Sequence, residues 1–162
     1  MTSPTSVFLH YLGLLRTLLL RAEEAGIAGN RLHPDMAPLV QQAKSAIGFA
    51  TRTCCPLAGR EIVRFNDDDA TVASALRELD ATSRYLAAMP DDAFAAMATR
   101  TIDTVAGFAE LRLPGPEFYL HYALPNFLFH YTMVYAIARE AGLPVGKADF
   151  DGYHQYPAGF SF

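Results

Sequence analysis

Cysteine is scarce in this chain: two residues in 162, Cys54 and Cys55, side by side. Neighbouring cysteines seldom bridge each other, because a disulfide holds its Cα atoms further apart than a relaxed dipeptide does. There is no CxxC pair and no zinc-type spacing. Two reduced thiols near a helix end are expected, in a reducing cytoplasm. Charge is sparse as well, at 19% of residues, with a net charge of -4. No cluster of Lys and Arg exists, and neutralising phosphates needs one, so nucleic acid is not an expected partner. The opening stretch Met1-Thr2-Ser3-Pro4-Thr5-Ser6 has no basic segment, so no secretory leader is expected. GxGxxG, Walker, GxSxG, HExxH and EF-hand patterns are all absent, which disfavours a nucleotide-dependent enzyme.

Apolar residues are plentiful, at 51%. That suits one domain over residues 1–162 with a substantial core. Residues 118–138 carry no formal charge and approach the length of a membrane span. They also contain His121, Pro125, Asn126, His130, Thr132 and several tyrosines, which are costly in lipid. A central helix of a soluble bundle is the better reading, with no membrane partner.

Apolar spacing predicts helix one from about Thr5 to Ala25, through Phe8, Leu12, Leu15, Leu18, Leu19 and Ala22. Leu14 and Leu20 widen its apolar face, as two neighbours or a subunit partner would require. Helix two is expected to start at Asp35 as its N-cap, with Met36 on its apolar face and Pro38 in its first turn, and to run to about Cys54, where Pro56 and Gly59 stop it. Residues 56–67 form a loop with an apolar centre, Ile62-Val63 and Phe65, expected to pack along the helices. The run Asp67-Asp68-Asp69 is expected at the positive start of helix three, roughly Ala70 to Ala88. Thr99 to Val105 is rich in β-branched residues, Ala106-Gly107 suits a turn, and Phe108 to Leu113 is expected to pair back as a small hairpin. Helix four is expected from Pro116 to Ala141, kinked or restarted at Pro125. The aromatic tail, with Phe150, Tyr153, Tyr156, Phe160 and Phe162, is expected to dock in part, pinned by Lys147 and Asp149. The predicted architecture is all-α: an up-and-down four-helix bundle with a small β-hairpin between helices three and four.

Three strings resemble a known family in order and spacing. They are Arg31-Leu32-His33-Pro34-Asp35-Met36-Ala37-Pro38-Leu39, then Tyr119 to Phe127 with Phe129-His130, then Gly146-Lys147-Ala148-Asp149-Phe150. The family is domain of unknown function 1993, similar to the DinB/YfiT-like helical bundles. The resemblance covers nearly the whole chain. It implies an up-and-down four-helix fold, often a homodimer, and no established activity. The wider DinB-like group includes thiol transferases and metal-binding members, whose metal is typically held by three histidines, two of them close on one helix. Here the histidines are His10, His33, His121, His130 and His154, and no two lie three or four apart. No cofactor is therefore expected, and a divalent metal has a site only if distant positions assemble one.

Four polar residues stand out as candidate pocket residues. Asn126 and His130 are four apart and share a helix face, as pocket lining or as satisfied core groups. His10 sits among apolar residues of helix one, either at the surface or facing His130 across the bundle. His33 is oriented by Asp35 if that carboxylate is not occupied as a cap. Gln41, Gln42 and Lys44 read as solvated helix surface, with Gln41 able to reach inward. The sequence thus reads as an uncharacterised helical-bundle protein forming a homodimer, without a catalytic set. The alternatives are a DinB-like metal-dependent enzyme, acting as a thiol or small-molecule transferase, and a small-ligand binding module.

Overall fold

The computed structural model describes residues 3–157 and 159–160; Met1, Thr2 and Phe162 of the expectations above lie outside the described residues. Helix α1, Pro4–Glu24, buries Phe8, Leu12, Leu15, Leu18, Leu19 and Ala22 on one stripe. Helix α2 is Leu39–Leu57 and α3 is Val72–Ala87. Two short 3-10 turns, Asp91–Phe94 and Met97–Thr99, lead into strands β1, Thr101–Ala106, and β2, Ala109–Pro114. The strands pair antiparallel, Ile102 opposite Leu113 and Ala106 opposite Ala109. Gly107 at the turn has φ +62, the left-handed angle that the first turn position of a tight hairpin demands. Then come the single turn α4, Gly115–Glu117, a π-helical segment Phe118–Ala123, the long helix α5, Leu124–Glu140, and the short α6, Lys147–Asp151. The chain is mostly helical with one two-stranded sheet. Helix α2 packs on α5 and α3, and α1 packs on all three. The core lies between them, with Tyr131, Phe8, Phe118 and Phe127 as its largest fully buried side chains. Among the described residues no helix is long and apolar enough to cross a membrane.

Several starts and stops differ from expectation. Asp35 does not cap α2. The orphan amides of Leu39 and Val40 bond instead to the carbonyls of Asn30 and Ala28, so the preceding loop does the capping through backbone. Pro56 does not stop α2 at Cys54; it sits within the last turn, and the helix closes where Gly59 (φ +69) lets Arg60 N–H reach the Cys55 carbonyl. Helix α3 starts at Val72 with no acidic residue in its first turn. Thr71 caps it, accepting from Ser74 N–H at 3.2 Å. At Pro125 the helix neither ends nor restarts. The widened π turn just ahead of it absorbs the proline ring, which would crowd the His121 carbonyl in a regular α-helix.

The tail docks on α1 and α5. Tyr131 Oη donates to the Phe150 carbonyl at 2.7 Å, and the Tyr153 ring stacks on His10 with centroids 5.0 Å apart. Asp149 pairs with Arg21 at 3.0 Å rather than with Lys147, and its other oxygen accepts from Gly146 N–H. Leu14 lies against this segment, near Gly152. Part of the extra apolar strip on α1 is therefore covered by the chain's own tail.

Candidate functional site

On α2, residues 41, 44, 45, 48 and 52 recur at three- and four-residue intervals and so share one face. That face forms one side of a cavity of about 440 Å³. Residues 64–70 line it opposite Lys44. Glu78 and Thr82 of α3 line it too, and Phe49 with His130 lines it more than a turn further along α2 from Lys44. Gly48 lies on the α2 side, and a Cβ built on it meets nothing within 4 Å.

One end of the cavity is held by an ionic cluster. Lys44 has a side chain only 8% exposed, and its Nζ lies 2.8 Å from Oε1 of Glu78, which is 3% exposed. It also donates to Ser74 Oγ at 3.0 Å, to Asp67 Oδ1 at 3.2 Å, and to the carbonyls of Asp67 and Asp69 at 3.0 and 2.6 Å. Burial opposes this charge, but the hydrogen bonds and charges of Glu78 and Asp67 outweigh it and raise the Lys44 pKa. Asp67 also accepts from the Ser74 hydroxyl and from Arg77 Nη2. The Ser74 bond foremost, then Arg77 and Lys44, hold its carboxyl well below the usual range. Asp67 and Asp69 of the acidic run serve this latch between α2, α3 and the 58–71 segment, and α3 has no acidic residue in its first turn.

The other end is held by a neutral histidine. His130 Nδ1 lies 2.7 Å from Oε1 of Gln42, and the Gln42 amide nitrogen donates to the Ala37 carbonyl. Since that nitrogen is turned away, the Gln42 oxygen faces His130, and Nδ1 carries the proton. Nε2 is left as an acceptor, with no hydrogen-bond partner among the described residues. The ring stacks on Phe49, and the Arg52 guanidinium carbon lies 4.3 Å from the centre of the same Phe49 ring. Burial first, and the charge of Arg52 second, push the His130 pKa down, so the ring is uncharged near pH 7.

Of the four candidate residues, His130 lines the cavity and the other three do not. Asn126 shares a helix face with it, but its amide donates to the Tyr122 carbonyl at 2.7 Å, a bond within the helix. His10 Nε2 bonds the Asp151 carbonyl at 2.7 Å and holds the tail. His33 pairs with Asp35 on the open surface, where their side chains are 65% and 82% exposed. Gln42 and Lys44, read from sequence as solvated surface, are buried. The only signal in the sequence for Lys44 and Arg52 is their spacing with Gly48 along α2, and none marks Gln42. Cys54 and Cys55 are buried free thiols, and burial pushes the Cys54 thiol pKa up, away from reactivity.

A three-histidine metal centre does not fit these residues. Among the described residues no three His, Cys, Asp or Glu side chains converge to hold an ion. His10 and His130 each spend a ring nitrogen on a protein bond, and Asp67, Asp69 and Glu78 at the cavity pair with Lys44 or Arg77.

No curated protein matches the chain. It is similar over 95% of its length to the crystal structure of a DinB family member protein from Shewanella denitrificans, with 27% sequence identity, a TM-score of 0.80 and 92% of that chain covered. Residues 4–151 match the family described as domain of unknown function (DUF1993), from the first residue of α1 to the last of α6. The chain belongs to that family.

Proposed function

We propose that this protein is a small-molecule binding bundle whose site is the cavity between α2 and residues 64–70. The observation that carries this reading is the His130 ring: one nitrogen locked by Gln42, the other without a partner among the described residues, in a ring stacked on the same Phe49 that carries the Arg52 guanidinium, at the cavity lining. A volume near 440 Å³ lies in the range of small-ligand pockets. A thermal-shift screen of small metabolites tests the reading, because a ligand that prefers the native state must raise stability. Hits whose effect is lost in His130→Ala support it; a broad set with no stabilising compound counts against it.

In this reading α1, α2, α3 and α5 form an up-and-down four-helix bundle, supported by their mutual packing and by the DinB family neighbour. The bundle pairs as a homodimer through α5 and the π-helical segment before it, whose exposed positions include Phe129 and Leu120 and carry no charge over residues 118–138. Light scattering after size exclusion tests this: a clean monomer at micromolar concentration removes the dimer. The buried, unbridged Cys54 and Cys55 suit a reducing cytoplasm.

The open Nε2 supports a second reading, an enzyme in which neutral His130 takes a proton from a bound hydroxyl or thiol, as a small-molecule transferase requires. Incubation of the apoprotein with candidate thiols and electrophiles, wild type against His130→Gln, separates the two: stabilisation by ligand with no turnover in either protein favours binding alone.

A further inference from the structure

We infer that the cavity selects a small monocarboxylate, with Arg52 as the residue that recognises its charge. This rests on the reading of the cavity as a binding site and adds the chemistry of its ligand.

Among the described residues Arg52 has no ion pair and no hydrogen bond; its one contact of note is the Phe49 ring beneath it. A guanidinium held over an aromatic ring keeps the N–H donors at its edge, in the fork that matches a carboxylate. Three of the four carboxylates lining the cavity are already engaged. Glu78 and Asp67 face Lys44, and Arg77 reaches Asp67 and Asp69. Asp68, the fourth carboxylate of the lining, makes no ion pair with Arg52, so among the described residues the guanidinium has no counter-ion.

The same acidic wall sets the ligand's charge. A dianion such as phosphate meets the carboxylates of residues 67–69 across the cavity, whereas a single negative charge is balanced by one guanidinium. The open Nε2 of His130, whose ring stacks on the same Phe49, accepts a hydrogen bond from a hydroxyl or amide N–H on the ligand. Phe49 and Phe65 offer apolar surface to its body. Gly48 keeps the α2 side clear, since any side chain there projects into unfilled space.

The test is a nitrogen-15 NMR titration of the full chain with acetate, butyrate and phenylacetate, with the matching amides, and with inorganic phosphate. The carboxylates are expected to shift the backbone amides of residues 45–52 and to bind at least about tenfold more tightly than their amides, the scale of one charge-assisted hydrogen-bonded pair. Arg52→Met is expected to abolish that preference, and Arg52→Lys to keep part of it. Gly48→Leu, which fills the cavity from a position with free space, is expected to abolish all binding while remaining folded. Equal binding of acid and amide, a preference that survives in Arg52→Met, or phosphate binding more tightly than the carboxylates overturns the carboxylate assignment and leaves the binding site standing. Absence of binding by every compound overturns both.

Discussion

Lys44 presents three N–H donors to oxygens from Asp67, Asp69, Ser74 and Glu78. The cost of breaking such a pair lies less in the lost attraction than in the stranded partner. Removing the ammonium leaves Glu78 charged and buried without a counter-ion, a loss on the order of 3–5 kcal/mol. Lys44→Ala is therefore expected to lower the urea unfolding free energy by about that amount, whereas Lys44→Met with Glu78→Leu together recover most of it. Additive losses in that double variant contradict the account. A second residue-scale effect concerns pH. The folded pKa of His130 lies below its ordinary value of 6.5, so below that value the unfolded chain binds the extra proton more readily. Stability on this account is complete above about pH 6.5 and falls as pH drops through the folded pKa. The carboxylates act in a separate window: Asp151, held down to about 2 by backbone N–H bonds from His154 and Tyr153, loses its contribution only below about pH 4. Denaturation curves across pH 4.5–7.5 are expected to slope downward with acid in wild type and to flatten in His130→Gln. Neither Lys44 nor Gln42 is legible as buried from sequence, because a Lys or Gln on a helix is solvated unless another element covers it.

Among the secondary elements, the hairpin and the helix that follows it show which local signals hold. The β-branched run from Thr101 to Val105 and the turn at Gly107 are local properties, and β1 and β2 form there. Pro125 is equally visible, but its accommodation is not. The π turn at Phe118–Ala123 depends on how far the backbone can widen against its packed neighbours. Gly115 joins the hairpin to this helix, and a Cβ there comes within 2.1 Å of the Met97 carbonyl oxygen. Since backbone cannot yield as a side chain can, Gly115→Ala is expected to cost about 1–3 kcal/mol by overpacking, read as a lower urea midpoint. Gly48→Ala makes the opposite case. Its Cβ meets nothing, and alanine is the better helix former by about 1 kcal/mol, so a rise in thermal midpoint is expected; a fall means that the cavity is not the open space described.

The molecule as a whole is closed by contacts between distant parts of the chain. His10 holds the carbonyl of Asp151 across 141 positions, and His130 meets Gln42 across 88. The docked tail covers α1 beside Leu14, so part of the wide apolar strip on that helix is answered within one chain, while Leu20 and the uncharged outer positions of α5 remain exposed. Tyr131→Phe deletes the hydroxyl that reaches Phe150 and leaves that carbonyl without its donor. It is expected to cost about 1 kcal/mol and to speed limited proteolysis beyond residue 146; unchanged cleavage there shows that the tail is held by other means.

Periodicity by itself determined that the chain forms long amphipathic helices with a short hairpin before the last long one, because burying one apolar stripe per helix is a local demand of the residue order. Three strings of residues, not periodicity, carry its likeness to its family. Which polar side chains matter was decided only by tertiary structure. Gln42, Lys44 and Arg52 differ from ordinary helix-surface residues solely in what lies opposite them: the acidic loop, Glu78 and His130. Burial, charge pairing and an open ring nitrogen are properties of that juxtaposition, and juxtaposition is not written in the spacing of any one helix.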